Sequence, residues 1–466
     1  MSAPAGVSGA AAATAKLESV VGSEFVRSTA GGITEYAIDG VAPKLVVRPQ
    51  NAEQTAETVR TALEEKLGVI ACGARSAVGV GMPPTNYDLA LDMTRVTGIA
   101  SYDAGDLTIS VNAGMPLSEL ARVLAEKKQF LPLQVPFFER ATVGGAIAAG
   151  LDSPLRHFYG APRDFLIGAE FVDGTGAQAK SGGRVVKNVT GYDFHKLLHG
   201  SLGTLAVITR LNFRTYPLPV ARRGFLASFA DDLAALAFAN EVGASALTPI
   251  VLEMLSPECA GLLFAQYAPF ASFCAAQNRR EWTVCLGFEG SGEVCERYAK
   301  ELSRMAREAG AQNAVTMHDE QFAALLEILR EAPVAMRDAA AEAVVMRFAA
   351  LPSQLADLLR AVRSFAGSSW MTAPVLVRGG SVMYLALLPR AGDETALRQM
   401  EYFWKSVGSL RGKLEFRGSL VFAAAKWKAA LNVWAHVEFD SEMERRVKKA
   451  FDPNGVFARG RFVGGL

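Results

Sequence analysis

The sequence predicts an α+β protein of two or three domains, and three observations lead there. Its 466 residues are about three times a working domain of roughly 150. Half of them are hydrophobic and 20% charged, with a mean hydropathy of +0.18, which suits a sizeable buried core and excludes a disordered or fibrous chain. A glycine-rich first part, with 12 of the 43 glycines in the 63 residues from Ala141 to Gly203, gives way after Pro217-Leu218-Pro219 to longer alternating strand and helix patterns. The expected division is a flexible lead-in over 1–40, a first domain over 41–219, a cap over 220–441, and a C-terminal helix and tail over 442–466.

The same arithmetic removes several function classes. The 48 Lys+Arg against 47 Asp+Glu leave a formal charge of +1, and no long basic run occurs, so no overall attraction to nucleic acid or acidic lipid is expected. Five cysteines and five histidines lie scattered without a CxxC pair. That spacing offers neither a zinc nor an iron–sulfur site and suits a reducing compartment, the cysteines reading as core. The Ala-, Gly- and Ser-rich first 20 residues lack the basic and bulky apolar parts of a signal peptide, and no apolar run approaches the roughly 18 to 20 residues that span a bilayer. A cytoplasmic protein is expected, meeting the inner membrane only peripherally, through partners.

Along the first domain, Lys44–Arg48 reads as a strand, Ala52–Leu67 as a helix capped by Asn51 and stopped by Gly68, and Val69–Cys72 as a short strand. That strand feeds Gly73-Ala74-Arg75-Ser76-Ala77-Val78-Gly79-Val80-Gly81, whose glycines permit positive φ and close backbone approach. Such a loop can present clustered N–H groups to a phosphate, although it fits neither the Walker nor the dinucleotide pattern, and an ordinary surface turn is the other reading. Leu107–Val111 alternates as a strand and Leu117–Lys127 as an amphipathic helix. In Ala141-Thr142-Val143-Gly144-Gly145, Thr142 can cap a short helix whose first turn is glycine, an anion site by its exposed amides; tight helix-to-strand packing would select the same residues. Tyr159-Gly160, Arg163-Asp164, the strand Leu166–Val172, Lys187-Asn188-Val189-Thr190-Gly191-Tyr192-Asp193 and Gly200-Ser201-Leu202-Gly203-Thr204-Leu205 follow.

In this order the blocks resemble the PCMH-type FAD-binding domain of the vanillyl-alcohol oxidase superfamily, over about Val41 to Pro219. Within it, Lys187 to Asp193 and the tail Phe451-Asp452-Pro453-Asn454-Gly455-Val456-Phe457 are most similar to FAD-binding subunits of bacterial glycolate oxidases. The resemblance implies an extended FAD between two α+β subdomains, with the cap as a further domain. It places Gly73, Ala74, Arg75, Ser76, Ala77 and Val78 at the pyrophosphate, and Pro136, Ala141, Thr142, Gly144 and Gly145 along the pyrophosphate and ribose. Tyr159 and Gly160 would lie toward the flavin, and Ile208 near the adenine. It also implies a small 2-hydroxy acid substrate, glycolate or D-lactate, with a catalytic flavoprotein subunit and an iron–sulfur subunit as partners.

Two departures shape the expectation. The loop holds neither the His nor the Cys to which some relatives attach flavin, so the FAD is expected to be non-covalent. The H-x-x-G-D-G-N-x-H type motif that related catalytic subunits and D-lactate dehydrogenases carry near substrate and metal has no counterpart; only His318 and His436 follow His199. Hydride removal is therefore expected mainly in a partner, with no general base to name here. The alternatives are a stand-alone FAD oxidoreductase and a non-redox assembly subunit.

Other constellations are weaker. His195 and His199 stand four apart, as metal ligands on one helical face can, but without a third ligand. Arg156, His157, Arg163 and Lys187 could form a carboxylate-binding cluster or a salt-bridged surface set. Beyond Val220, strands at Arg223–Phe229, Pro249–Leu255, Trp282–Phe288, Ala314–Met317, Ala343–Ala349, Val375–Arg378, Val382–Leu388 and Lys413–Arg417 alternate with helices. The pattern predicts an antiparallel sheet with helices on one face.

Overall fold

Three large sheets and one two-stranded pairing, Gln129–Phe130 with Tyr216–Pro217, carry the chain in the computed structural model, which describes all residues except 1–5, 29–32, 184–190, 266, 268–269, 271–272, 274–279, 367–370, 391 and 438–440. The first has four strands in the order Val26–Arg27, Leu45–Val47, Leu89–Asp92 and Val69–Cys72; the last three are parallel. Parallel strands need a crossover, and the helix Ala52–Glu64 supplies it. Asn51 caps that helix by accepting the Gln54 N–H at 2.8 Å. The second sheet is antiparallel, in the order Ile99–Asp103, Thr108–Asn112, Val207–Arg214, Leu166–Val172 and Gln178–Gly182.

The third sheet has eight antiparallel strands. Their order is Asn313–Met317, Ala221–Phe229, Trp282–Gly290, Val251–Leu255, Val375–Arg378, Val382–Leu387, Val344–Ala350 and Phe416–Phe422. Both faces are apolar, so both must be covered. One face buries Phe225, Met254, Leu286 and Phe348 under the helices Asp232–Ala244, Gly292–Glu308, Leu355–Ala366 and Ala396–Gly408. The other buries Leu226, Val251, Val345 and Tyr384 under Pro257–Phe264 and Asp319–Asp338, together with Val80, Leu151 and Leu155 of the first part of the chain. Helices thus lie on both faces rather than one, because the central strands are buried on both sides. The last strand also falls later than expected, at Phe416–Phe422, since Leu420, Val421 and Phe422 are the apolar residues there.

Two further expectations change. The lead-in contains a helix, Gly6–Val21, which buries Leu17 and Val21 beside Val59 and Ala62. The C-terminal tail, for which the sequence predicts only a helix and turns, enters the core as well. Val456 and Phe457 are core residues of the first sheet, and Asp452 anchors them by accepting the N–H groups of Val456 and Phe457 at 2.8 Å each.

Buried ions tie the eight-stranded sheet to the rest. Asp152, 4% exposed, accepts from Arg347 Nε at 2.5 Å, from Tyr384 at 3.2 Å and from the Arg156 guanidinium, while its carbonyl accepts from Arg378 at 3.0 Å. Arg378 is itself fully buried against Glu253, with Nε 2.5 Å from Oε1. Glu331, on the helix Asp319–Asp338, accepts the N–H groups of Phe137 and Phe138 at 2.8 and 3.2 Å. Burial opposes the charge on Asp152, but the guanidinium groups of Arg347 and Arg156 outweigh it and hold the carboxyl well below its ordinary range. Its contribution to stability is therefore complete above the unfolded value near 3.8 and is lost only as the pH falls through the lower folded value. Asp152→Asn should cost about 3 kcal/mol of unfolding free energy at neutral pH, because it leaves Arg347 and Arg156 without their carboxylate; urea titration of the variant against the parent checks this.

Candidate functional site

The strand Val69–Cys72 is hydrogen-bonded on both sides. Leu89–Asp92 flanks one edge, and on the other the Val69 N–H donates to Val456 O at 2.8 Å while the Ala458 N–H donates to Val69 O at 2.8 Å. The chain leaves this fixed strand into the loop 73–81. Arg75 has φ of 62°, a left-handed conformation that L side chains seldom adopt. Its guanidinium lies 4.2 Å over the Tyr36 ring and 3.7 Å from Asp92, which also accepts from the Tyr36 hydroxyl at 2.6 Å and from the Thr94 N–H and hydroxyl at 2.9 and 2.6 Å. With its charge engaged there, what Arg75 offers the loop is its backbone. The Val80 N–H closes on Ala77 O at 3.1 Å, whereas the N–H groups of Ala74 to Val78 have no acceptor among the described residues.

Facing the loop is the start of the helix Val143–Ala149. Thr142 is extended and accepts the Gly145 N–H at 3.3 Å, the N-cap geometry its residue type predicts. The loop and this cap touch directly: a Cβ on Gly73 would lie 1.9 Å from Thr142 Oγ1. The two glycines of the helix start then part company. Gly144 donates its N–H to Ala113 O at 2.8 Å, and a Cβ there would meet Ala113 Cβ at 2.7 Å, so it serves helix-to-strand packing. At Gly145 a Cβ would meet only the Thr142 oxygen, at 3.0 Å.

Together these elements enclose a cavity. Gly73, Ala74, Arg75, Ser76, Ala77, Val78, Thr142, Gly144, Gly145 and Ile208 all line it. Pro136, Ala141, Tyr159 and Gly160 do not. Pro136 is buried in the stretch that Glu331 holds, and Ala141 bonds to Phe137 and Leu117. Tyr159 donates to Glu289 and packs edge-on to Phe130 and Tyr216 at 5.5 and 4.9 Å, and Gly160 ends the short helix Arg156–Tyr159 at φ 80°. Cys72 borders the cavity, but burial pushes its thiol well above the ordinary range, so little thiolate forms there.

The residue that sequence reasoning missed is Arg461. It lines the cavity, is 2% exposed, and donates through Nη2 to Val78 O at 2.5 Å and to Val80 O. Nothing in the turn-rich text around it signals burial. Lys428 makes a comparable tie, donating to Gly79 O and to Asp39 at 2.7 Å.

The histidine pair does not share a helical face, because Phe194–Leu197 is a single 3₁₀ turn. His195 Nδ1 lies 3.1 Å from Ser181 Oγ, while His199 Nε2 is buried without a partner among the described residues and its ring is pushed down to about 4 by burial. No group of three metal-binding side chains occurs among the described residues. Of the basic set, Arg156 pairs with Asp152, burial lowers His157 beside Gly379, Arg163 sits 4.0 Å from Asp164, and Lys187 lies outside the described residues with Asn188, Val189 and Thr190. His436 is buried on Trp404, its Nε2 2.8 Å from Trp404 O, and His318 occupies a helix N-cap. No described helix is long and apolar enough to cross a membrane.

Comparison with known proteins adds an independent line. An "FAD binding domain" family model matches residues 43–182, and an "FAD linked oxidases, C-terminal domain" model matches 218–414. The glycolate oxidase subunit GlcE of Escherichia coli is 37% identical over 166 residues, which is 35% of this chain and 47% of that protein. The chain therefore aligns with less than half of that relative's length. The glycolate oxidase subunit GlcD of Bacillus subtilis is 24% identical over 357 residues, 75% of each chain. In three dimensions the fold is that of 4-ethylphenol oxidase from Gulosibacter chungangensis, with a TM-score of 0.74 and 16% identity over 99% of this chain and 98% of that one.

The glycine geometry yields a contrast to measure. Gly144→Ala should lower unfolding free energy by about 1–3 kcal/mol through overpacking against Ala113, whereas Gly145→Ala should change it by under about 1 kcal/mol; chemical denaturation of both variants decides the matter.

Proposed function

From the matches to an FAD binding domain over 43–182 and to a C-terminal domain of FAD linked oxidases over 218–414, we propose that the chain binds FAD and is the FAD-binding subunit of a 2-hydroxy-acid oxidising complex, working on glycolate or D-lactate beside a catalytic flavoprotein subunit and an iron–sulfur subunit. The observation that carries the cofactor site is the cavity itself. Its loop carries five backbone N–H groups without acceptors among the described residues, beside a buried guanidinium, a donor set suited to a pyrophosphate. Ala74 to Val78 would hold that group through backbone amides, Thr142 would fix the helix start by accepting the Gly145 N–H, and Ile208 would pack against the apolar end.

When bound, FAD supplies two-electron acceptance and the onward relay of electrons. The chain's own residues bind and orient it and exclude water. The loop offers no attachment residue and the bordering Cys72 stays protonated, which supports non-covalent binding. The role of subunit is favoured by the likeness to GlcE and by the position of the two C-terminal histidines, His318 at a helix cap and His436 under Trp404, away from the cavity. The alignment with GlcD over three-quarters of the chain favours a second reading, a self-sufficient oxidoreductase.

Two measurements test these readings. Gly145→Asp should lower FAD affinity at least about tenfold by setting a carboxylate against the pyrophosphate, with the fold intact by circular dichroism; undiminished flavin content would remove the site assignment. Mixed anaerobically with glycolate or D-lactate, the isolated chain should keep its visible flavin absorbance and lose it only with the partner subunits present. Bleaching of the chain alone would establish the second reading instead.

A further inference from the structure

Buried cations in this protein come with carboxylates, with one exception. Five Lys or Arg side chains are buried among the described residues: Arg330, Arg378, Lys428, Lys448 and Arg461. Arg330 has Glu331 at 3.1 Å, Arg378 has Glu253 at 2.5 Å, Lys428 has Asp39 at 2.7 Å and Lys448 has Asp452 at 2.7 Å. Arg461 has no carboxylate within 4.0 Å among the described residues. Its Nη2 is satisfied by the carbonyls of Val78 and Val80, but its Nε–H is buried with no acceptor among the described residues.

Taking a guanidinium out of water without a counter-charge costs several kcal/mol, and an unmade hydrogen bond at a buried donor adds to that cost. Burial pushes Arg461 down to about 10, still far above neutral pH, so the charge persists. The residue also lines the cavity that Ala74 to Val78 line, and their N–H groups have no acceptor among the described residues. An unmatched buried cation and a set of unmatched donors around one cavity share one simple remedy, an anion bound between them.

We propose that Arg461 is a cofactor-binding residue: its guanidinium pins the outer rim of the loop through Val78 and Val80 and donates its free Nε–H to the pyrophosphate of the bound FAD. This rests on the FAD site proposed above and adds a charged ligand to it from a segment far along the chain. The pyrophosphate, not the flavin ring, is the natural partner, because it carries the full negative charge that a desolvated guanidinium lacks here.

The test titrates FAD into the deflavinated full chain and its Arg461→Gln and Arg461→Lys variants, with ADP as a competitor that shares the pyrophosphate. Arg461→Gln should weaken FAD and ADP together by about 10- to 100-fold, the effect of one charge-assisted hydrogen bond. Arg461→Lys, which keeps the charge, should recover a large part of that loss. FAD affinity unchanged in Arg461→Gln while its melting temperature falls would reduce Arg461 to a structural tie and overturn the proposal. So would equal losses in the Gln and Lys variants, or a loss for FAD with none for ADP. One measurement needs no variant: inorganic pyrophosphate should raise the melting temperature of the deflavinated parent chain above that in sodium chloride of equal ionic strength, and no rise counts against the proposal. A parent chain that takes up no FAD under any condition would instead defeat the proposed function.

Discussion

The carboxylate of Asp152, three residues past the end of the helix Val143–Ala149, ties that part of the chain to the eight-stranded sheet. Arg156 reaches it from the same part of the chain, whereas Arg347 and Tyr384 reach it from the eight-stranded sheet. A charge buried to this extent is tolerable only with all of its partners in place, so the network admits one arrangement of the two parts and not a range of them. Arg378, with Glu253 on one side and the Asp152 carbonyl on the other, extends the same constraint across the sheet. Ions thus hold the chain just past one end of the helix, while at the other end, beside the cavity, Val143 and Gly144 donate to Met115 O and Ala113 O.

Much of the architecture was legible in the sequence because it is written locally. The cap at Asn51, the strand Val69–Cys72, the glycine loop and the cap at Thr142 all follow from residue type and spacing, and the structure has each of them. The eight-stranded sheet was legible strand by strand, but its second helical layer was not, since a strand apolar on both faces does not say what covers each one. The His195–His199 pair misled because spacing of four signals a shared face only inside a helix, and the turn there is 3₁₀.

The ambiguity left at the two glycines of Val143-Gly144-Gly145 resolves in both directions at once. One serves packing and the other borders the cavity, a division that no count of small residues could supply. Arg461 was out of reach for another reason. Its meaning lies in an absence, the missing carboxylate, and a missing partner becomes visible only when all neighbours have been placed.

The return of the tail to the first sheet bears on how the protein matures in time. Arg461 and the loop carbonyl it grips are 383 residues apart. At roughly 5 to 20 residues per second, the ribosome needs tens of seconds to make the intervening chain. Through that interval the edge of Val69–Cys72 that Val456 and Ala458 will occupy stands unpaired, an exposed strand edge of the kind that invites aggregation. Maturation is therefore ordered: the eight-stranded sheet is synthesised before the first sheet can close, and the loop gains its last fixed contact only when residue 461 has emerged.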